Sequence, residues 1–403
     1  MQDEANGLKR LLLDSVSDGS TLGRTLFNER GDVLLRRGAL LNRRYIESLR
    51  DRGFRSLYIA DGPDDDLAPD EIVSEHVRAN ATASVHRFLN VVATARLDRR
   101  SGASAERTMS EEAARALITR VASLRSVVES VIDEVLQANN LPGLTELKTH
   151  DNYTFCHSIE VTITAIMIGR ELHFDRAALR ELAMGCILHD VGKMFIAPQI
   201  LNKPGRLTKE EMELVKSHPG AGYRFLRGFQ PDAYLINHVA YQHHERQDGT
   251  GYPRGLTGQN RIGREGRSGR GEMLLIAEIA AVADVYDALS SDRPHRPGMA
   301  PDQVVEMIRS MAGTHLNREV VNGFLSIVPA YPVGSAIHVT EGSFTGFCGV
   351  VVNLNTQRLD RPRIRLDRDR SGRRIDPFEI DLVWEPLTQI AIILFDRELR
   401  QAG

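Results

Sequence analysis

The 403-residue sequence predicts a mainly α protein: an all-helical central domain with a small α/β unit before it and a small β unit after it. Three observations predict that class. Residues 71–97 and 110–137 place apolar side chains every three or four positions, the period of an amphipathic helix. From 145 to 323 nearly every segment reads as helix, interrupted by Gly/Pro breaks at 203–205, 219–222 and 248–258. From 333 to 383 the pattern switches to short β-type runs, AIHVT, FCGVVVNL and RIRL, with turns between them.

Taken in order, residues 1–62 form the N-terminal accessory unit. Runs at 22–27 and 33–35 flank the turn NERGD and predict a hairpin. Leu41, Tyr45, Ile46 and Leu49 share a helix face that Gly53 stops, and SLYIA at 56–60 reads as a strand. The acidic, proline-containing stretch at 61–70 is a linker. The two amphipathic segments, joined by a loop at 97–108, make 70–140 a helical linker or regulatory segment. The central domain spans 145–330 and the C-terminal β unit 333–403. The Gly/Arg-rich stretch at 261–271, RIGREGRSGRG, predicts a basic loop.

Composition narrows the function classes. With 42% hydrophobic and 26% charged residues the chain can bury a core. Lys and Arg number 51 against 54 Asp and Glu, a balance that argues against a general nucleic-acid binder. Three scattered cysteines, Cys156, Cys186 and Cys348, do not make a disulfide framework and suit a reducing compartment. The start lacks the basic-then-apolar pattern of a signal peptide. The most apolar stretch, 273–289, is cut by Glu278, Asp284 and Asp287, so no membrane span is expected. The expectation is a cytoplasmic protein.

Chemistry concentrates in the helical region. His157, the pair His189-Asp190, His218, the pair His243-His244, and Asp284 are all suitable ligands for a divalent metal. In HDVGK (189–193) a charged pair ends an apolar helix, where burial is costly unless the charge is paired or ligated. One metal takes four to six ligands, so seven candidates suggest two ions sharing a carboxylate, and Asp190 has the two oxygens such a bridge needs. Lys193 lies four residues after His189, one helical turn on, so both can face one cleft. Arg293 and Arg296 are three apart; their guanidinium forks suit phosphate oxygens, or pair with Asp292 or another surface neighbour.

The ordered set His157-Ser158, HDVGK, His218-Pro219, HHERQDGTGYPRGL (243–256), VADVYDAL (282–289) and DRPHR (292–296) resembles the HD-GYP domain, a branch of the HD phosphohydrolases. That resemblance covers under half of the chain. It implies an all-helical domain hydrolysing cyclic di-GMP to linear pGpG, with slow onward cleavage to GMP. It implies His157, His189, Asp190, His218, His243, His244 and Asp284 as metal ligands, with Asp190 as the bridge. Lys193 would face the scissile phosphate; Gly251, Tyr252 and Pro253 would form a loop near the substrate, with Tyr252 either stacking on guanine or filling the loop. Arg293 and Arg296 would hold phosphate. Two divalent ions are implied, iron first and manganese second. The alternatives are a phosphohydrolase for another cyclic dinucleotide, and a non-catalytic cyclic di-GMP sensor or adaptor acting through protein contacts. Partner proteins would use the GYP face or the N-terminal unit, and the helix at 110–137 is a candidate homodimer element.

The sequence departs from the family pattern at three places. Tyr153 stands four residues before His157, where some members carry a Glu that supports a third metal, so two ions and pGpG are expected. The connection at 261–272 is longer than usual, and Glu278 replaces a typical Arg. His295 replaces a common Tyr. The last two departures bear on substrate affinity.

Overall fold

A computed structural model of the chain describes residues 7–28, 32–54, 56–61, 72–100, 111–138, 153–203, 205–262, 271–291 and 298–393. Of the earlier expectations, the acidic linker and the loop at 97–108 lie mostly outside these residues. The centre of the Gly/Arg-rich stretch, Arg293, His295 and Arg296, and the side chain of Tyr153 lie wholly outside them.

The N-terminal unit contains β1 (Gly7–Leu12), β2 (Thr21–Leu22), β3 (Leu26–Phe27), β4 (Val33–Leu35), α1 (Arg43–Asp51) and β5 (Ser56–Asp61). β5 lies between β1 and β2, antiparallel to both, while β3 and β4 pair with each other. Asn42 caps α1 by accepting from the Tyr45 amide at 2.9 Å, satisfying a donor the helix start leaves open. Leu22, Leu41, Leu49 and Leu57 close a small separate core. β1 lacks the alternation that marks a strand and was not expected from sequence.

The helices follow: α2 (Glu75–Arg100), α3 (Glu111–Gln137), α4 (Tyr153–Glu171), α5 (Arg176–Leu188), α6 (Pro198–Leu201), α7 (Lys209–Lys216), α8 (His218–Phe229), α9 (Tyr234–Gln242), α10 (Leu275–Ser290), α11 (Pro301–Met311) and α12 (Arg318–Leu325). One apolar core runs through them, from Ile72 to Ala330, so α2 and α3 share the core of the later helices. A buried ion pair between Arg78 on α2 and Glu160 on α4 reinforces that packing. α4 is the central rod. Val161, Ile163, Ala165, Ile166 and Ile168 are all buried, the pattern of a helix enclosed on every side. Helix starts are capped locally: Asp175 accepts from Ala178, and Thr208 with Glu211 forms a capping box at α7.

The C-terminal part is a five-stranded antiparallel sheet of β6 (Ala336–Glu341), β7 (Cys348–Asn353), β8 (Arg363–Arg368), β9 (Arg374–Asp381) and β10 (Gln389–Ile392), in the order β10-β6-β7-β8-β9. Ile337, Val351, Ile364 and Leu366 face its own core. The architecture is therefore helical with a sheet-rich C-terminal part. Among the described residues, no helix is long and apolar enough to cross a membrane.

Candidate metal centre

The seven candidate ligands arrive from five separate elements. His157 projects from the first turns of α4. His189 is the C-cap of α5 and Asp190 follows it. His218 opens α8, His243 caps the C-terminus of α9 with His244 next, and Asp284 sits on α10. Two glycines make this convergence sterically feasible. A Cβ at Gly192 would lie 1.9 Å from the His218 carbonyl oxygen, and one at Gly251 would lie 2.4 Å from the Arg246 amide nitrogen. Only glycine lets the HDVGK turn press on the start of α8, or lets the GYP loop fold back on Glu245 and Arg246.

Ligand-capable atoms gather into three overlapping groups, each with its atoms within 4.8 Å of one another: His157, His189 and Asp284; His189, Asp190 and His243; and His218, His243 and His244. Asp190 joins the two ends. Its Oδ2 lies 3.4 Å from His189 Nε2 and 3.5 Å from His157 Nε2. Its Oδ1 lies 3.2 Å from His218 Nε2 and 3.8 Å from His243 Nε2. Asp284 lies 3.2 Å from His157 Nε2 and 3.8 Å from His244 Nδ1.

The imidazoles are held at their other nitrogens. His189 Nδ1 is 2.6 Å from the Cys186 carbonyl, His218 Nδ1 2.7 Å from that of Val215, and His243 Nδ1 3.1 Å from that of Ala240. A carbonyl only accepts, so Nδ1 carries the proton and Nε2 presents its lone pair to the cluster. His157 Nδ1 meets the Asp287 carboxylate instead, at 2.6 Å.

Charges follow the burial. Burial alone would raise the Asp190 carboxyl, but the Lys193 ammonium and His189 outweigh it and hold it well below the usual carboxylate range. Asp284 is likewise held well below, with His157 and His244 overcoming its burial. Burial, reinforced by neighbouring histidines, depresses His243 strongly and takes His244 down to about 3. Burial works against protonation of His157, yet Asp287 and Asp284 prevail and raise it.

A divalent ion fits this donor set. His189 Nε2 and Asp190 Oδ1 are buried and make no hydrogen bond of acceptable geometry, although an orphaned buried polar atom costs about 1–3 kcal/mol. Neutral imidazoles with carboxylates are the ligand chemistry of such ions.

Lys193 differs from its expected placement. α5 ends at Leu188, and a 3₁₀ turn over Val191–Phe195 carries the lysine back to pair with Asp190. It is thus brought to the cluster by a tight turn, not by a continuing α-helix. In the GYP loop, the Tyr252 ring lies 4.8 Å from the His244 ring, and Pro253 follows, exposed. Burial pushes the Tyr252 phenol up, so it stays protonated.

Sequence reasoning missed two supporting residues. Asp287 orients His157; its spacing of three from Asp284 places it on the same helix side and was the available signal. Glu245, buried beside the histidine pair, accepts from the Arg254 and Leu256 amides, both at 2.8 Å, and so ties down the GYP loop. Glu278, noted for its departure from the family pattern, is buried and accepts from Gln247 at 2.9 Å and Asn317 at 3.2 Å. It therefore links α10 to the loop after His244 and to the start of α12.

Residues 132–320, which carry the helices that converge on these buried histidines and aspartates, match the family model described as HD domain. A cyclic di-GMP phosphodiesterase of Pseudomonas aeruginosa is 37% identical over 243 residues, 60% of this chain and 54% of that protein. A cyclic di-GMP phosphodiesterase of Thermotoga maritima is 35% identical over 200 residues, 49% of this chain and 50% of that protein. A 3'3'-cGAMP-specific phosphodiesterase of Vibrio cholerae is 34% identical over 167 residues, 41% of this chain and 34% of that protein. The HDVGK, HHERQDGTGYP and VADVYDAL motifs all lie inside the matched segment. The chain spans about half the length of the first two relatives and about a third of the third.

Proposed function

We propose that this chain is a metal-dependent phosphodiesterase that hydrolyses cyclic di-GMP to linear pGpG. The observation that carries the reading is the position of Asp190, with one carboxylate oxygen toward His157 and His189 and the other toward His218 and His243. The relatives named for that activity support the substrate class.

In this reading His157, His189, Asp190 and Asp284 hold one divalent ion, and Asp190, His218, His243 and His244 hold a second. Iron is the first choice and manganese the second. Bound there, the ions would activate water and neutralise phosphoryl charge. The chain's own residues do the rest. The Nδ1 bonds fix the His189, His218 and His243 rings so that ligation requires no reorientation. Lys193 sets a cation beside Asp190, where it faces the scissile diester and either stabilises its charge or protonates the leaving oxygen. The protonated Tyr252 hydroxyl offers a donor at the cleft. Water adds to phosphorus, the bond to the ribose 3′ oxygen breaks, and that oxygen takes a proton. Arg293 and Arg296 complete the phosphate contacts. Tyr153, a phenol where a carboxylate would support a third ion, favours pGpG as the end product.

The test is metal analysis of anaerobically purified protein followed by chromatography of products from cyclic di-GMP, 3'3'-cGAMP and cyclic di-AMP. Expected are about two ions per chain and fastest conversion of cyclic di-GMP to pGpG. Faster cleavage of 3'3'-cGAMP would move the substrate, and tight binding without turnover would move the function to a sensor.

A further inference from the structure

We propose that Lys216 holds the second, non-scissile phosphate of the cyclic dinucleotide, an assignment that rests on the phosphodiesterase reading above. Lys216 is the last residue of α7, two before His218. Its Nζ lies 5.9 Å from the centre of the Tyr252 ring. That ring lies 4.8 Å from His244, and His244 lies 5.0 Å from His218. Lys216 therefore stands at the outer end of a column of rings that begins in the candidate metal centre. Its side chain is 40% exposed, so it is both next to the cleft and open to a ligand.

A cyclic dinucleotide carries two diester charges one nucleotide apart. The Asp190-centred cluster and Lys193 can meet only the diester being cleaved. The other must lie at the rim, partly solvated, where a flexible ammonium is a suitable partner. Other described cations near the loop point elsewhere: Arg254 lies over Tyr241 at 5.5 Å, and Arg246 reaches the Thr250 hydroxyl at 3.5 Å. Lys216 now pairs with Glu213 at 2.8 Å, three residues away and 71% exposed. Such a surface pair contributes little, so exchanging it for a phosphate is inexpensive.

The test compares the metal-loaded full chain with Lys216→Gln and Lys216→Arg. Each is assayed on cyclic di-GMP and on bis(p-nitrophenyl) phosphate, which has one diester and no second phosphate. In Lys216→Gln the ratio of kcat/KM for cyclic di-GMP to that for the aryl diester should fall about tenfold, mainly through KM, the lower end for losing a charge-assisted hydrogen bond. Lys216→Arg keeps the charge and should hold the ratio within about threefold of wild type. An unchanged ratio in Lys216→Gln, or an equal loss in both variants, overturns the assignment. If the wild type cleaves the aryl diester and leaves cyclic di-GMP intact, the parent reading fails; that outcome is distinct because it shows in the wild type, before any variant is compared.

Discussion

Asp287 Oδ2 lies 2.6 Å from His157 Nδ1, which turns the imidazole so that Nε2 points at Asp284 and Asp190. The two residues are 130 apart in sequence, and the contact joins α4 to α10. The other buried ring nitrogens facing away from the cluster meet backbone carbonyls, so His157 is the ring whose orientation depends on a replaceable side chain. Asp287→Asn should therefore weaken metal binding by about 10–100-fold, the range for losing a carboxylate behind a metal-binding histidine. Metal titration of the stripped protein followed by thermal melting checks this. Unchanged affinity with an unchanged fold would show that the packing around His157 orients the ring by itself.

Asp190 places one carboxylate oxygen toward His157 and His189 and the other toward His218 and His243. Asp190→Asn keeps its shape and removes its charge, leaving the Lys193 ammonium beside a neutral amide. The variant should lose most of its bound metal and all measurable hydrolysis, because both ions lose a common anionic ligand. Elemental analysis alongside product chromatography reads both quantities. Full metal content with full activity would sink the two-ion arrangement.

The metal-free cluster should lose stability in mild acid. His243 and His244 have folded-state pKa values below their ordinary 6.5, His244 at about 3. Below pH 6.5 the unfolded chain binds protons that the folded chain refuses, so stability falls as pH drops. His157, raised, works in the opposite direction, but it is one group against two. Asp190 and Asp284 are depressed below 3.8, so their contribution persists through this window and is lost only at lower pH. The melting temperature of chelator-treated protein should thus decline between pH 7 and pH 5, and His244→Gln should flatten the decline. A melting temperature that is level or rising toward pH 5 would contradict the assigned neutral histidines.

What the sequence made legible was local. The amphipathic period fixed the helices, and the adjacent pairs His189-Asp190 and His243-His244 stood out because polar pairs at the ends of apolar helices need a reason to be buried. The illegible parts are non-local or conformational. Asp287 looks like any polar residue of VADVYDAL until α10 packs on α4. The Arg78–Glu160 pair spans 82 positions and leaves no periodic trace. The reach of Lys193 to Asp190 follows from a 3₁₀ turn that spacing alone reads as α. β9 was missed because RIDPFEID contains a proline and is mostly exposed or half-buried on both faces, which erases alternation.

Glu245 gives a last prediction, because it separates the GYP loop from the metal cluster. Its two carboxylate oxygens accept from the amides of Arg254 and Leu256, each at 2.8 Å, while the Tyr252 amide donates to the His244 carbonyl at 3.1 Å. The loop is thus held at three points, two of them on one buried side chain. Glu245→Ala orphans two amides, each at a cost of about 1–3 kcal/mol if it stays buried. The loop should avoid that cost by opening toward water, which carries Tyr252 off His244. Metal content should stay near normal, because none of the seven cluster side chains is bonded to Glu245 in the described structure. KM for cyclic di-GMP should rise, and limited proteolysis within 248–258 should quicken. Glu245→Gln keeps one acceptor oxygen and should fall between the two. If Glu245→Ala instead loses metal while the loop stays protease-resistant, Glu245 supports the histidine pair and not the loop.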